Sequence, residues 1–420
     1  MRYVAFDKQQ DFHESRARIR GAFAGKRGGK TEAGAIESII FAEEKIGFVD
    51  NGIDPYIGII IAPTNDMLRR LSLKKLKAYA GDMIVDHHQT HQEIEWHNDT
   101  LIYAISADNP QRVEGVKAHF VWMDEVFQMS EQMFLEAIAR VSDTEGYIWC
   151  TGSLGVQYNN PKSHWAYKYF KLDPIPGTQC FEWTTADNPY YPRAELDRLK
   201  DSLDPRTYRQ MFEIDWSVPG TALVYDQFDD GNLTKGYVYN PALQTSVSID
   251  WGWTHPAVAL FIQYDPVKDK IYVFDEIVKS KMTIESLYNQ IMSKPYRVDK
   301  YYCDIAGNQE REQTGISNVQ WFKNKAIHFN FRTAAIQPTI SLVRSYIKNT
   351  HGISRLIVDE IKCPKLVDNA KNYSYPQKDG IIVNENPIKE NDDCVDSLRY
   401  YIMNAHDNSL KPNVVGMIKR

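Results

Sequence analysis

The chain has 420 residues, 43% of them hydrophobic and 25% charged, with 49 Lys and Arg against 55 Asp and Glu for a formal net charge of −6. That length exceeds one core and favours two or three domains, the composition is that of a soluble globular protein, and the acidic balance excludes a uniformly basic nucleic-acid coat, so any DNA-binding face has to be local. Five scattered cysteines without C-x-x-C spacing indicate neither a zinc site nor a disulfide framework and point to a reducing compartment, and the chain shows no secretory leader and no apolar run of membrane length.

The segment 6–13 (FDKQQDFH) offers two readings. Gln9 beside an aromatic ring can read the edge of an adenine, or the stretch is simply the start of an amphipathic helix. Next, an apolar run at 19–23 predicts a strand, 24–31 (AGKRGGKT) a glycine-rich turn and 32–42 a helix. A strand, such a turn and a helix opening on Gly-Lys-Thr make a phosphate cradle: Gly25, Gly28 and Gly29 let backbone N–H groups converge on an anion, Lys30 reaches the β- and γ-phosphates, and Thr31 can ligate Mg²⁺. Ala24 replaces the first glycine of the usual G-x-x-x-x-G-K-[ST] pattern.

Residues 57–62 (IGIIIA) suit a strand buried on both faces of a parallel sheet, 67–80 a helix, and 94–105 a hairpin turning at His97-Asn98-Asp99. The polar loop 108–117 (DNPQRVEGVK) carries Arg112, placed either to reach a γ-phosphate or to lie solvated at the surface. It leads into 118–126 (AHFVWMDEV), an apolar strand ending in Asp124 and Glu125. Two adjacent acids at the end of a buried strand repel unless a cation or polarised water separates them, so Asp124 is assigned to the Mg²⁺ shell and Glu125 to the attacking water. A further strand at 147–150 ends in Thr151-Gly152-Ser153, a γ-phosphate sensor or a plain turn.

Between 186 and 236 the prolines Pro189, Pro192, Pro205 and Pro219 punctuate a helical stretch at 193–213, read as a connector. A second α/β region follows: strands at 246–250 (SVSID), 257–264 (AVALFIQY) and 270–274 (KIYVF), then 301–304 (YYCD) and 355–359 (RLIVD), with helices near 283–292, 339–348 and 391–404, the last capped by Asn391 or Asp392. Asp250 ends the first of these strands, Asp304 the fourth, and Asp396 lies on the last helix. Three converging acids without an evident basic partner are costly unless divalent cations fill the gap, which suits hydrolysis of a phosphodiester with Mg²⁺ or Mn²⁺. Asp393, one turn from Asp396, is a weaker fourth ligand and Glu276 a weaker one still. The expected division is a P-loop ATPase domain at 1–185 with a mostly parallel sheet, a linker subdomain at 186–240, a second α/β domain at 241–405 and a tail at 406–420.

AGKRGGKT, VWMDE, the TGS segment, DNPYYP, SIDWG, YYCDIAG and NDDCVDSLRYY stand in this order along nearly the whole chain, which therefore resembles the large terminase subunit of tailed bacteriophages. The resemblance implies a DNA-packaging ATPase joined to a ribonuclease H-like endonuclease, with Gln9 reading adenine, Lys30 and Thr31 holding ATP-Mg²⁺, Asp124 and Glu125 as the acid pair, and Thr151 to Ser153 coupling hydrolysis to movement. It implies Asp250, Asp304 and Asp396 as metal ligands, with Asp393 where many relatives carry histidine. Either Arg27 or Arg112 faces the phosphates. It further implies double-stranded DNA, a portal protein and a small terminase subunit as partners. The assembled form is then a homo-oligomeric ring, the isolated form a monomer. The expected location is the host cytoplasm and transiently the procapsid portal vertex, with no membrane association and no place in the mature virion. Two other readings compete: a helicase-like or repair ATPase with an ancillary nuclease, and a structural capsid-vertex protein whose domains have lost their chemistry.

Overall fold

Apolar runs too uniform to leave one face wet become central strands. In the first half these are β1 (Ile19–Ala24), β2 (Ile57–Ala62), β6 (Phe120–Asp124) and β7 (Tyr147–Gly152), nearly every residue of which is buried. The computed structural model describes residues 3–49, 54–88, 92–108, 115–155, 161–217, 222–252, 255–309, 316–378, 381–382, 384–390 and 392–406. It divides into two compact units, one made of 1–197 and 208–218, the other of 198–207 and 219–420.

The first unit is built on an eight-stranded sheet. With β3 (Ile84–His88), β4 (Glu93–Trp96), β5 (Leu101–Ser106) and β8 (Thr178–Trp183), the strand order is β3-β4-β5-β2-β6-β7-β1-β8. β5, β2, β6, β7, β1 and β8 run parallel; the hairpin expected at 94–105 is β4 with β5, and β3, not expected from the sequence, pairs antiparallel with β4 at the edge. Phe41, Trp122 and Trp149 fill the core on one face, and Phe23, Val121 and Phe127 that on the other. The fully buried Arg20 on β1 donates to Glu37 (2.6 Å), which also meets His13 (2.5 Å), fixing the N-terminal helix (Asp7–Glu14) against the phosphate-loop helix (Lys30–Glu44). The helix expected at 67–80 differs from its pattern: a π-helical turn, Leu68–Ser72, interrupts it.

The second unit has a seven-stranded mixed sheet. Its strands are β9 (Leu233–Thr234), β10 (Thr245–Asp250), β11 (Ala257–Asp265), β12 (Lys270–Lys279), β13 (Lys300–Cys303), β14 (Phe329–Asn330) and β15 (Leu356–Asp359). Their order is β14-β13-β10-β11-β12-β15-β9, in which β10, β11 and β12 form the antiparallel meander and β13 joins β10 in parallel. The final helix (Asp393–His406) packs on β10, β11 and β13. The helical stretch at 193–213 is two helices, Arg193–Ser202 and Pro205–Glu213, because Pro205 forbids continuation and Asp204 accepts the Thr207 N–H at 3.0 Å.

Candidate nucleotide and metal sites

In the first unit β1, β6 and β7 all end at one edge of the sheet, so Ala24, Asp124 and Gly152 arrive together where an open α/β sheet binds its ligands. The turn after β1 is held by its carbonyls. Ser153 Oγ donates to Ala24 O (2.6 Å), Thr185 Oγ1 to Lys26 O (2.7 Å), Asn188 Nδ2 to Arg27 O (2.8 Å), Trp183 Nε1 to Gly28 O (2.6 Å) and Gln9 Nε2 to Gly29 O (2.8 Å). The Gly28 N–H takes the remaining carbonyl, that of Gly25, at 2.9 Å. The N–H groups of Arg27, Gly29, Lys30, Thr31 and Glu32 find no acceptor among the described residues. A loop whose oxygens are tied back while its N–H groups and a helix N-terminus stay open is a receptor for a phosphate chain. The departure at Ala24 costs nothing, because the position that tolerates no side chain is Gly25: a Cβ there would lie 2.3 Å from the Phe212 carbonyl oxygen. Gly29 has φ +80°, the left-handed region that glycine adopts freely.

Lys30 Nζ pairs with Glu125 Oε1 at 2.9 Å. Thr151 Oγ1 donates to Asp124 Oδ1 (2.7 Å), Ser72 Oγ to Asp124 Oδ2 (2.9 Å), and Thr31 Oγ1 lies 3.5 Å from Oδ1. Burial first and the neighbouring Glu125 second push the Asp124 carboxyl up to about 6, against the pull of Lys30, Thr151 and Ser72. Glu125 and Arg27 both hold positive φ (60° and 65°), a conformation non-glycine residues keep mainly where the site demands it. A cavity of about 1230 Å³ opens over these groups, walled by Phe6, Gln9, Lys30, Thr31, Glu125 and Tyr190 among others. Gln9 lines the cavity, and the sequence did not reveal that its amide also clamps the loop. Arg27 is exposed on the cavity wall, and Arg112 lies outside the described residues. Trp183, Thr185, Asn188 and Ser72 were missed; each stands far along the chain from the turn or acid it supports.

In the second unit Ile249 pairs with Cys303, so Asp250 and Asp304 leave adjacent parallel strands at the same end. Asp396 is brought to them by a reciprocal tie: Ser248 Oγ donates to Ser397 O (2.6 Å) and Ser397 Oγ to Ser248 O (2.9 Å). The Asp250 carboxyl makes no hydrogen bond or ion pair with any described residue, and it is pushed well above the usual range by burial, then by Asp396, Asp304, Asp393 and Asp392. Burial also raises Asp304, whose Oδ1 accepts the Gly307 N–H (3.2 Å), and Asp396, which Arg399 opposes from 2.9 Å. Asp393 is raised likewise, with His255 counteracting. The donors are all carboxylate oxygens, the ligands a hard divalent cation prefers. Among the described residues no three His, Cys, Asp or Glu stand as a ready-made metal shell; Arg399 engages Asp396 and the Gly307 N–H engages Asp304. The Asn391 cap lies outside the described residues. Glu276 accepts the N–H groups of Lys365 (2.8 Å) and Leu366 (3.0 Å), capping the helix Pro364–Asn372.

Residues 247–405 match the family described as the terminase RNaseH-like domain. The large terminase subunit of Escherichia phage T5 is 21% identical over 371 residues, covering 83% of this chain and 80% of that one. The chain is similar to large terminases along most of its length. In fold it is similar to the large terminase of a thermophilic bacteriophage, at 16% identity and a TM-score of 0.61 over 94% of this chain and 98% of that one. The same thermophilic-phage protein solved with ATP-gamma-S matches at 17% identity and a TM-score of 0.60, covering 95% of this chain and 98% of the other. The expected α/β fold is therefore present in both units, and among the described residues no helix is long and apolar enough to cross a membrane.

Proposed function

We infer that the chain is the motor and nuclease subunit of a phage DNA-packaging machine: ATP hydrolysis drives double-stranded DNA into a procapsid, and a metal-dependent endonuclease cuts the concatemer to start and end packaging. The observation that carries this reading is the conjunction, in one chain, of a phosphate loop with its carbonyls tied back and a terminase-type nuclease domain. The helicase-like alternative is disfavoured by that second half.

In the motor site the open N–H groups of the loop and Lys30 bind the phosphates, and Gln9 and Phe6 face the base. Thr31 and Asp124 are the residues that hold Mg²⁺. Lys30 leaves Glu125 for the phosphates, which frees the Glu125 carboxylate to orient the attacking water and accept its proton. Arg27, on the wall of the nucleotide cavity, is the arginine assigned to the phosphates. In the nuclease site Asp250, Asp304 and Asp396, with Asp393 beside them, are the residues that hold Mg²⁺ or Mn²⁺. Bound there, a divalent cation supplies Lewis-acid stabilisation of charge on the phosphodiester oxygens. The family resemblance extends the reading to a portal protein and a small terminase subunit as partners, to a ring on the portal assembled from chains that are monomers in isolation, and to the host cytoplasm as location.

Two substitutions test this. Lys30→Ala should abolish ATP turnover and spare Mn²⁺-dependent plasmid cutting, whereas Asp250→Ala should do the reverse. Turnover stimulated by single-stranded but not double-stranded DNA would instead support the helicase-like reading.

A further inference from the structure

Of the hydroxyls on Asp124, two belong to residues the sequence singled out, Thr31 and Thr151. The third does not. Ser72 is buried, 1% exposed, and its Oγ donates to Asp124 Oδ2 at 2.9 Å, the oxygen that neither threonine occupies. It closes the π-helical turn Leu68–Ser72. Such a turn inserts an extra residue into a helix, re-aims the side chains around it and recurs at functional positions. On either side of Ser72 the same run of helix supplies part of the nucleotide cavity wall through Met67, Arg70, Leu71, Lys74 and Lys75. Lys75 also pairs with Glu32 in the first turn of the phosphate-loop helix. The segment 65–80 therefore touches the site in three ways: at the acid, at the cavity wall and at the loop helix.

We propose that Ser72 is a positioning residue for Asp124, and that through this bond the segment 65–80 responds to whether metal and nucleotide are present. The proposal rests on the motor reading above. Thr151 fixes one carboxylate oxygen from the sheet and Ser72 the other from the helix, so the plane of the carboxylate is set by both. A cation held by Thr31 and Asp124 would need the carboxylate in one orientation, which the Ser72 bond sets, so the bond favours the cation and a bound cation would in turn hold the bond in place. The turn that carries Ser72, and the cavity-lining side chains beside it, would be ordered by that mutual support.

The experiment compares wild type, Ser72→Ala and Ser72→Thr. Hydrogen exchange in 64–80 is followed with and without ATP-gamma-S and Mg²⁺, alongside fluorescent-nucleotide binding, thermal melting and the Mg²⁺ dependence of hydrolysis. In wild type, nucleotide with Mg²⁺ should slow exchange in this segment. Ser72→Ala should lose most of that slowing and raise the half-saturating Mg²⁺ concentration about tenfold, the loss of one hydrogen bond to a charged group, while still binding nucleotide; Ser72→Thr should restore both. An alanine variant that folds, binds nucleotide and shows wild-type slowing and wild-type Mg²⁺ dependence would overturn the proposal. If alanine prevents folding, Ser72→Cys, of similar size but a weak donor, is read in the same way. Wild-type protein that binds no nucleotide would remove the motor reading itself, an outcome separate from the first.

Discussion

Asp124 is an acid buried beside another acid, and that placement has a consequence measurable without any ligand. Its carboxyl rises from an ordinary 3.8 to about 6 on folding, chiefly through burial. The folded chain then binds the proton more tightly than the unfolded one between these values, so this group's contribution to stability is full below about pH 4, falls as pH rises, and is lost above about pH 6. Asp124→Asn keeps the shape and removes the charge. Its melting temperature should match wild type near pH 3.5 and exceed it by several degrees at pH 7.5, for a difference of about 3 kcal/mol, while ATP turnover disappears. Asp250, Asp304 and Asp396 carry the same sign of shift. For them a cation reverses the penalty once the protons are gone. Mn²⁺ should raise the melting temperature at pH 8 and hardly at all at pH 5, and Asp250→Asn should erase the rise; differential scanning fluorimetry reads both.

At the level of elements, the motor's precision passes through one indole. The helix Lys30–Glu44 brings Gly34 so close to β6 that a Cβ there would lie 2.4 Å from the Trp122 ring. Trp122 Nε1 donates to Thr151 Oγ1 (2.9 Å), and Thr151 holds Asp124. Gly34→Ala must displace the ring, since overpacking a filled core costs about 1–3 kcal/mol. The expected result is a lower urea midpoint with a disproportionate loss of ATP turnover and unchanged plasmid cutting. None of this chain of contacts shows in the sequence. What was legible there was local: AGKRGGKT, the Asp124-Glu125 pair and the strand-end acids Asp250 and Asp304 each declare themselves within a few residues of an apolar run. What was not legible is support from a distance. Trp183 and Asn188 reach the phosphate loop across some 150 positions, the Ser248 and Ser397 tie spans as many, and a serine looks like any turn or surface residue until its partner is known. The π-helical turn at Leu68–Ser72 was hidden for another reason: the apolar spacing of 67–80 is still helical, and one inserted residue barely alters it.

For the whole molecule, the stretch between the two sheets is divided in an order the sequence does not announce. Residues 198–207 are counted with the second unit and 208–218 with the first. The assignment is enforced by specific bonds. Within the second unit, Ser341 Oγ donates to Asp204 Oδ2 (3.0 Å), the hydroxyls of Thr207 and Ser341 meet at 2.6 Å, and the Thr350 N–H reaches the Lys200 and Leu203 carbonyls, all in a setting where Asp204 is 1% exposed. Within the first unit, Met211 supplies the carbonyl that holds the Lys26 N–H at 2.7 Å, and the Trp216 ring packs on Phe23 and Phe127. A nuclease fragment cut at the apparent domain border, 219–420, leaves Ser341 and Thr350 facing a vacated groove, whereas 198–420 keeps the buried carboxylate and its donors together. Each buried polar group stripped of its partner costs about 1–3 kcal/mol. The longer fragment should therefore unfold at a clearly higher urea concentration and cut plasmid DNA in Mn²⁺ at the full-length rate, and equal midpoints for the two fragments would show that the 198–207 segment adds nothing to the unit it packs into.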